Sequence, residues 1–323
     1  MRKTGLHRFA VFTACCTFLL LLAGALVTSN DAGLAVPDWP LSYGSLLPPM
    51  VGGILYEHGH RMVAGFVGVL TITLAIWLGW REPRRWVRVL GWVALGGVVT
   101  QAVLGGITVR FYLPKAVSIA HAGLAQLFFC VTLSLALFTS RWWQGALPQL
   151  EDSASPSLPS LAAATTAAIF LQLIAGAALR HKAIGIVPHL AGAAAVAFLV
   201  VWTARAVLRR YGHLSCLRRV ALLLSVLLGL QLLLGLGAYW SMRVAQAAPQ
   251  PMPAMVWLTV AHLGVGALTL ATSVLLTLSC FRVVTPARAL SLATSPGRDA
   301  LPILRERAHV EAALCRHSDK KAL

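Results

Sequence analysis

Apolar runs of about 20 residues, the length that crosses a bilayer as a helix, recur along the chain with short polar breaks between them. They fall at 9–28, 61–80, 87–109, 117–139, 160–180, 187–207, 219–240 and 256–281. The pattern predicts eight membrane-spanning helices. The first run follows Met1-Arg2-Lys3 in the manner of a signal sequence, but it exceeds the usual length of a signal core and reads as a retained span. The stretch from Gln144 to Ser160, with Glu151, Asp152, Pro156 and Pro159, is the one clear polar linker between spans. It divides the chain into a four-span half (1–143), a linker (144–159) and a second four-span half (160–281), followed by a polar tail (282–323) expected to be flexible. The fold class expected is an all-α membrane protein whose eight transmembrane helices form two pseudo-symmetric four-helix bundles.

An internal repeat supports that division. Gln101-Ala-Val-Leu-Gly105 leads through a short loop to Ala120-His121-Ala122-Gly123. Gln172-Leu-Ile-Ala-Gly176 leads likewise to His189 and Gly192, and Gln231-Leu-Leu-Leu-Gly235 to His262 and Gly264. In the first hairpin Gly24-Ala25 is joined by a longer loop to His60 and Gly65. The unit is a two-helix hairpin whose returning helix opens with a histidine.

Composition agrees with the pattern: 58% of residues are hydrophobic and 11% charged, outside the range of a soluble domain. A formal net charge of +17 raises nucleic acid as a partner, but the placement of the charges argues against it. Of the 27 Lys and Arg residues, all but Arg61, Arg110, Lys115, Arg180, Lys182 and Arg243 fall on one side of the predicted topology. By the positive-inside rule that side is cytoplasmic and holds both termini. None of the six cysteines forms a pair in an outer loop, and no Cys-x-x-Cys-His motif for covalent haem attachment occurs.

The chemistry gathers on the opposite side. His60, His121, His189 and His262 occupy the same place in the repeated unit, whereas His7, His58, His181, His213, His309 and His317 do not and read as interfacial or hydrogen-bonded residues. Histidines from facing helices of a bundle can hold haem iron between them. Zinc or a binuclear metal would want carboxylate or thiolate ligands close by, and only Glu57 is near. Two bis-histidine haem sites use the four ligands better, with His60 paired to His121 and His189 to His262. The glycines that follow, Gly65, Gly123, Gly192 and Gly264, are expected to make room for the porphyrin. The six basic residues on this side are candidate partners for haem propionates, with snorkelling at span ends as the competing reading of each.

Glu57 separates the halves. It precedes His60 by three residues and, on a helix, would share its face, and no acid precedes the other three histidines at that spacing. A carboxylate in an apolar pocket can serve in proton transfer. The first half therefore reads as a reaction site and the second as a redox relay. The loop before Glu57 carries Asp31, Asp38, Trp39 and Tyr43 among glycines and prolines, and reads as a lid or an interfacial anchor.

The element Glu57-His-Gly-His60-Arg61-Met62, the loop Ala32-Gly-Leu-Ala-Val-Pro-Asp-Trp-Pro40, and Gln101-Ala-Val-Leu-Gly-Gly-Ile-Thr-Val109 running on to His121 resemble the haem A synthase family of bacteria and mitochondria. The resemblance covers about residues 8–281. It implies an oxidoreductase acting on a CH group, which converts the C8 methyl of haem O to the formyl of haem A in two successive two-electron oxidations, with oxygen taken from water. It further implies haem O held between His60 and His121, a haem b cofactor between His189 and His262, and Glu57 as the catalytic residue. The family's setting is the bacterial cytoplasmic membrane, with the haem sites toward the outer side. Haem O would be supplied by haem O synthase, with membrane lipid around the protein. The electron acceptor and any homo-oligomer are left open. Many family members carry a cysteine pair in the first loop where this chain has Val36 and Ser42, so no thiol-disulfide step can operate here. A di-haem b-type electron carrier or quinone oxidoreductase is the alternative, and it would have no use for Glu57. A transporter would place ionisable groups near the midplane, which is almost free of charge here.

Overall fold

The computed structural model describes residues 2–147, 149–245 and 251–286. Most of the tail, with the short helix expected near 300–314, lies outside the described residues. The chain folds into long helices: α1 (Arg2–Ser29), α2 (Gly52–Arg81), α3 (Arg85–Arg110), α4 (Lys115–Thr139), the single turn α5 (Arg141–Gln144), α6 (Leu158–Arg180), α7 (Ile186–Tyr211), α8 (Ser215–Ala245) and α9 (Pro253–Val283). Eight of them are long and apolar enough to cross a membrane. At 23 to 31 residues and about 1.5 Å rise per residue, they outrun a hydrocarbon core of about 30 Å. The surplus turns carry the polar chemistry.

The ends follow local rules. Pro253 and Pro159 stand in the first turns of α9 and α6, where a missing N–H costs nothing. Arginine occupies the last turn of α2, α3, α6, α7, α8 and α9, where a cation favours the negative end of the helix dipole. The largest departure from the hydropathy pattern is the start of α2. It begins at Gly52, nine residues before the apolar run, so Glu57 to Arg61 sit inside a helix and the preceding loop is shortened to 30–51. Helical hydrogen bonds continue there because the polar side chains find partners in that loop.

Packing follows the same pattern in both halves. In the first, α1 and α3 each pack on α2 and α4, and in the second, α6 and α8 each pack on α7 and α9. Each half has its own core: Val67, Leu74, Leu78, Val87, Phe128 and Leu135 in one, and Leu161, Val200, Val207, Leu224, Leu270 and Leu276 in the other. The halves meet where α1 and α4 lie against α9 and α6. Leu21 and Phe129 pack with Ala267 and Ala271 there, and Ala25 with Val256 and Val260. Small residues bring the backbones close: Leu22 of α1 lies against Gly264, and Ile174 of α6 against Gly123. Large apolar side chains such as Val69, Phe198, Leu233 and Leu236 remain exposed around the outside, as expected of a surface that faces lipid.

The polar linker is tied down. Its strand β1 (Leu150–Asp152) pairs in parallel with β2 (Val284–Pro286), with Leu150 opposite Val284. Asp152 is buried and accepts hydrogen bonds from the amides of Ala154 and Leu158 and from Arg210 Nη1. Arg282 donates to the carbonyls of Trp143 and Gly145. The first residues of the expected tail thus continue α9 and fasten the linker across the ends of the helices.

Candidate functional site

All four repeat histidines lie near the start of a returning helix: His60 in α2, His121 in α4, His189 in α7 and His262 in α9. Each faces a glycine on the outgoing helix of its own hairpin. A Cβ built on Gly24 would stand 3.2 Å from His60 Cε1, on Gly105 3.5 Å from His121 Cε1, on Gly176 3.2 Å from His189 Cε1, and on Gly235 3.0 Å from His262 Cε1. The repetition fixes the hairpin register and gives every ring a flat backbone wall. This differs from the expectation placed on the later glycines. Gly65 faces open space, Gly123 and Gly264 serve contact between the halves, and Gly192 receives the carboxamide of Gln172. The glycines that matter to the rings are those of the outgoing helices, whose spacing was visible in the repeat but whose partners were not.

In the second half the rings of His189 and His262 have centroids 6.5 Å apart at 74° to one another. A single metal ion at about 2 Å from one nitrogen of each ring, the usual imidazole–metal distance, fits in that gap. In the first half His60 and His121 lie within electrostatic reach of each other. Nδ1 of His60, His121 and His262 is buried without a hydrogen-bond partner, which is costly for a ring with no further role. Among the described residues no three His, Cys, Asp or Glu side chains converge, so each centre offers a pair of imidazoles. That donor set suits a bis-histidine haem and does not suit zinc or a binuclear metal.

Above the first pair, Glu57 and Arg61 organise the 30–51 loop. Glu57 is buried. Its Oε2 accepts the amide of Val36 at 2.8 Å, and its Oε1 accepts Arg61 Nη2 at 2.6 Å. Arg61 also donates to the carbonyls of Asp38 (2.8 Å), Leu41 (2.7 Å) and Val36 (3.4 Å). The carboxylate is therefore a paired group at the hinge between helix and loop, where the sequence suggested one isolated in an apolar pocket. His58 Nδ1 meets Ser42 Oγ at 2.8 Å, so Val36 and Ser42 are each fastened to α2 through a polar contact. The indole of Trp39 lies against Gly106, where a Cβ would come within 2.9 Å, next to the glycine that faces His121. The loop thus forms a cover over the first half.

Asp38 shapes the tip of that cover by accepting the amides of Tyr43 (2.7 Å) and Gly44 (2.8 Å). The Gly44 amide above all holds its carboxyl below the usual range. A folded-state pKa that is depressed contributes order above the ordinary carboxylate value, and that order is lost as pH falls through the lower folded value. Protease cleavage in the 30–51 loop is accordingly expected to be constant from pH 8 down to about 4 and to rise only below that, and Asp38→Asn should cleave faster at neutral pH.

The other basic candidates divide. Arg180 donates to the carbonyl of Thr28 and pairs with Asp31 at 3.3 Å, and Lys115 donates to the carbonyl of Lys182 at 2.9 Å. Both contacts join the two halves. Lys182, Arg110 and Arg243 are exposed at the same end.

Residues 53–191 match a family model described as COX15-CtaA, cytochrome oxidase assembly protein. That stretch includes Glu57, His60, Arg61, His121 and His189 but not His262. The chain is 34% identical over 133 residues to the heme A synthase of Lysinibacillus sphaericus, covering 40% of this chain and 43% of that protein. It is 33% identical over 150 residues to the heme A synthase of Shouchella clausii, covering 45% and 48%. A third relative, the heme A synthase of Alkalihalophilus pseudofirmus, is 32% identical over 134 residues, covering 40% and 44%. The chain thus spans a little under half the length of these relatives. The chain is thus similar, over less than half of its length, to a cytochrome oxidase assembly family and to proteins named heme A synthase.

Proposed function

We propose that the protein is a haem A synthase, which oxidises the C8 methyl of haem O to a formyl group in two two-electron steps, with water supplying the oxygen. The observation that carries the reading is the asymmetry between two otherwise matching histidine pairs. Among the described residues, only the first has a buried carboxylate, Glu57, three residues before its histidine and a loop closed over it.

In this reading His60 and His121 hold the substrate haem and His189 and His262 hold haem b. When bound, haem b supplies one-electron redox chemistry that carries electrons away from the substrate site. The protein's own part is binding and orientation. The glycine walls fix the histidine rings, the loop under Trp39 excludes bulk water, and Arg61 holds Glu57 at the edge of the site. The Glu57 carboxylate accepts protons released as the methyl passes through a hydroxymethyl to the hydrated aldehyde, which loses water. Arg110, Lys182 and Arg243 are the exposed basic residues offered to propionates, whereas Arg61, Lys115 and Arg180 are already engaged. Both termini lie on the cytoplasmic side and the haem sites toward the outer face of a bacterial cytoplasmic membrane.

The test is to express the full chain in cells that make haem O, extract the haems and separate them. Haem A should appear with the wild-type protein and disappear with Glu57→Ala, while haem b remains bound in both. Haem b alone from the wild type, with no haem O consumed under any electron acceptor, would favour a di-haem electron carrier instead.

A further inference from the structure

At the end of the bundle away from the histidines, α2 and α3 leave a groove of about 600 Å³ between them. This end holds the start of the chain, since Gly5 lies against Trp77. Ile76, Gly79 and Trp80 line the groove from α2, and Arg85, Arg88 and Trp92 from α3, each set spaced so that it shares one helix face. On their inner sides the two helices touch, where a Cβ on Gly91 would stand 2.9 Å from Leu78 Cδ1. A Cβ on Gly79 would meet nothing within 4 Å, so the groove has bare backbone in its floor. Trp80, Arg85 and Trp92 are exposed along it. Its charge is not neutralised. Among the described residues no acid lines the groove, and the one acid of the 81–88 turn, Glu82, is buried and paired with Arg84 at 2.6 Å. Arg88 gives one nitrogen to the carbonyl of Glu82, at 3.3 Å.

We propose that this groove binds one acidic glycerophospholipid, taken from the leaflet at the N-terminal end of the bundle. The order of residues along the hairpin carries the assignment. Arg85 and Trp80 stand beside the turn, and Ile76 and Trp92 lie deeper along their helices, so the groove grades from cationic to apolar as a lipid grades from phosphate to chain. The guanidinium groups of Arg85 and Arg88 bind the phosphate oxygens through charge-assisted hydrogen bonds. The indole of Trp80 sits at the headgroup level that tryptophan favours, and an acyl chain runs over Gly79 toward Ile76. An arginine that merely snorkels needs no such groove, whereas a basic pocket between spans is the usual form of an acidic-lipid site. The groove shares no residue with the histidine pairs, so the proposal stands apart from the haem reading.

The test is native mass spectrometry of the purified full chain in a neutral detergent, with dioleoylphosphatidylglycerol as the probe and dioleoylphosphatidylcholine as its comparison. The wild type should retain a single phosphatidylglycerol and release phosphatidylcholine, whose head carries a cation beside the phosphate. Inorganic phosphate, which has the charge but no chain, should not displace the lipid. Arg85→Gln with Arg88→Gln is expected to weaken retention about thirtyfold, the usual effect of two basic side chains at an anionic surface. Gly79→Leu fills the floor without touching a charge and should weaken it as well. Arg205→Gln with Arg209→Gln removes two exposed arginines near the C-terminal end of α7 and should leave retention unchanged. Equal retention of the two lipids, displacement by inorganic phosphate, or an equal loss in the α7 variant would overturn the proposal. So would wild-type retention in Gly79→Leu, which decides the matter if the arginine variant fails to fold. A dimer that Gly79→Leu dissolves, with no lipid retained, would give this face to a second copy of the chain and overturn it too.

Discussion

Arg61→Leu is expected to destabilise the detergent-solubilised protein by about 3–5 kcal/mol, the usual effect of stripping one partner from a buried ion pair, and to open the 30–51 loop to protease. The Glu57 carboxylate is 5% exposed and its pair with Arg61 spans 2.6 Å, so the substitution leaves a charge in a place where water does not reach it. The same guanidinium also binds the carbonyls of Asp38, Leu41 and Val36, and these lose their donor together. Arg61→Lys should fall between wild type and leucine, because one ammonium cannot reproduce a planar fork that serves several acceptors. The double variant Glu57→Leu with Arg61→Leu removes the unpaired charge and should regain much of the melting temperature without regaining haem A formation. That split between stability and chemistry is the informative result. If Arg61→Leu melts with the wild type and its loop resists protease, the guanidinium does not hold the cover, and it becomes available as a propionate partner.

Arg61 also marks where the sequence stops being informative. The eight spans follow from apolar run length, and the four histidines from their repeated position, because both are local patterns that the helix period preserves. Hydropathy ended the second span at the Glu57–Arg61 cluster, since it scores each residue as if it met lipid or water alone. The helix runs on to Gly52 because Val36, 21 residues before Glu57, supplies an amide and the loop carbonyls supply acceptors. No window along the chain contains that pairing. The glycines were misplaced for a related reason: Gly24, Gly105, Gly176 and Gly235 were written into the repeat, but a glycine facing a ring becomes visible only once two helices are laid side by side. The linker shows the limit most clearly. It reads as a polar linker with no regular structure assigned, yet it forms β1 and pairs with β2 more than a hundred residues later, and Asp152 is paired with Arg210 from a third element.

His189→Ala and His262→Ala are each expected to yield protein without its resident haem, whereas His60→Ala and His121→Ala should keep that haem and lose haem O turnover. The centroids of His189 and His262 are 6.5 Å apart; on the proposed assignment, removing either would leave the haem a single protein ligand. Absorption spectra of the purified variants read this directly: the low-spin signature of a bis-histidine haem should vanish in the second-half variants and persist in the first-half ones. Alanine at these positions leaves Gly176 or Gly235 facing a cavity the size of an imidazole, so added imidazole is expected to restore part of the low-spin signal in His189→Ala and His262→Ala. Rescue of that kind distinguishes a lost ligand from a collapsed helix pair, because a small base can replace a ring but cannot rebuild packing. Equal loss of resident haem from all four variants would mean that the histidine pairs do not divide the work, and the asymmetry built on Glu57 would then need another explanation. Retention in His189→Ala without any spectral change would remove α7 from the haem site altogether.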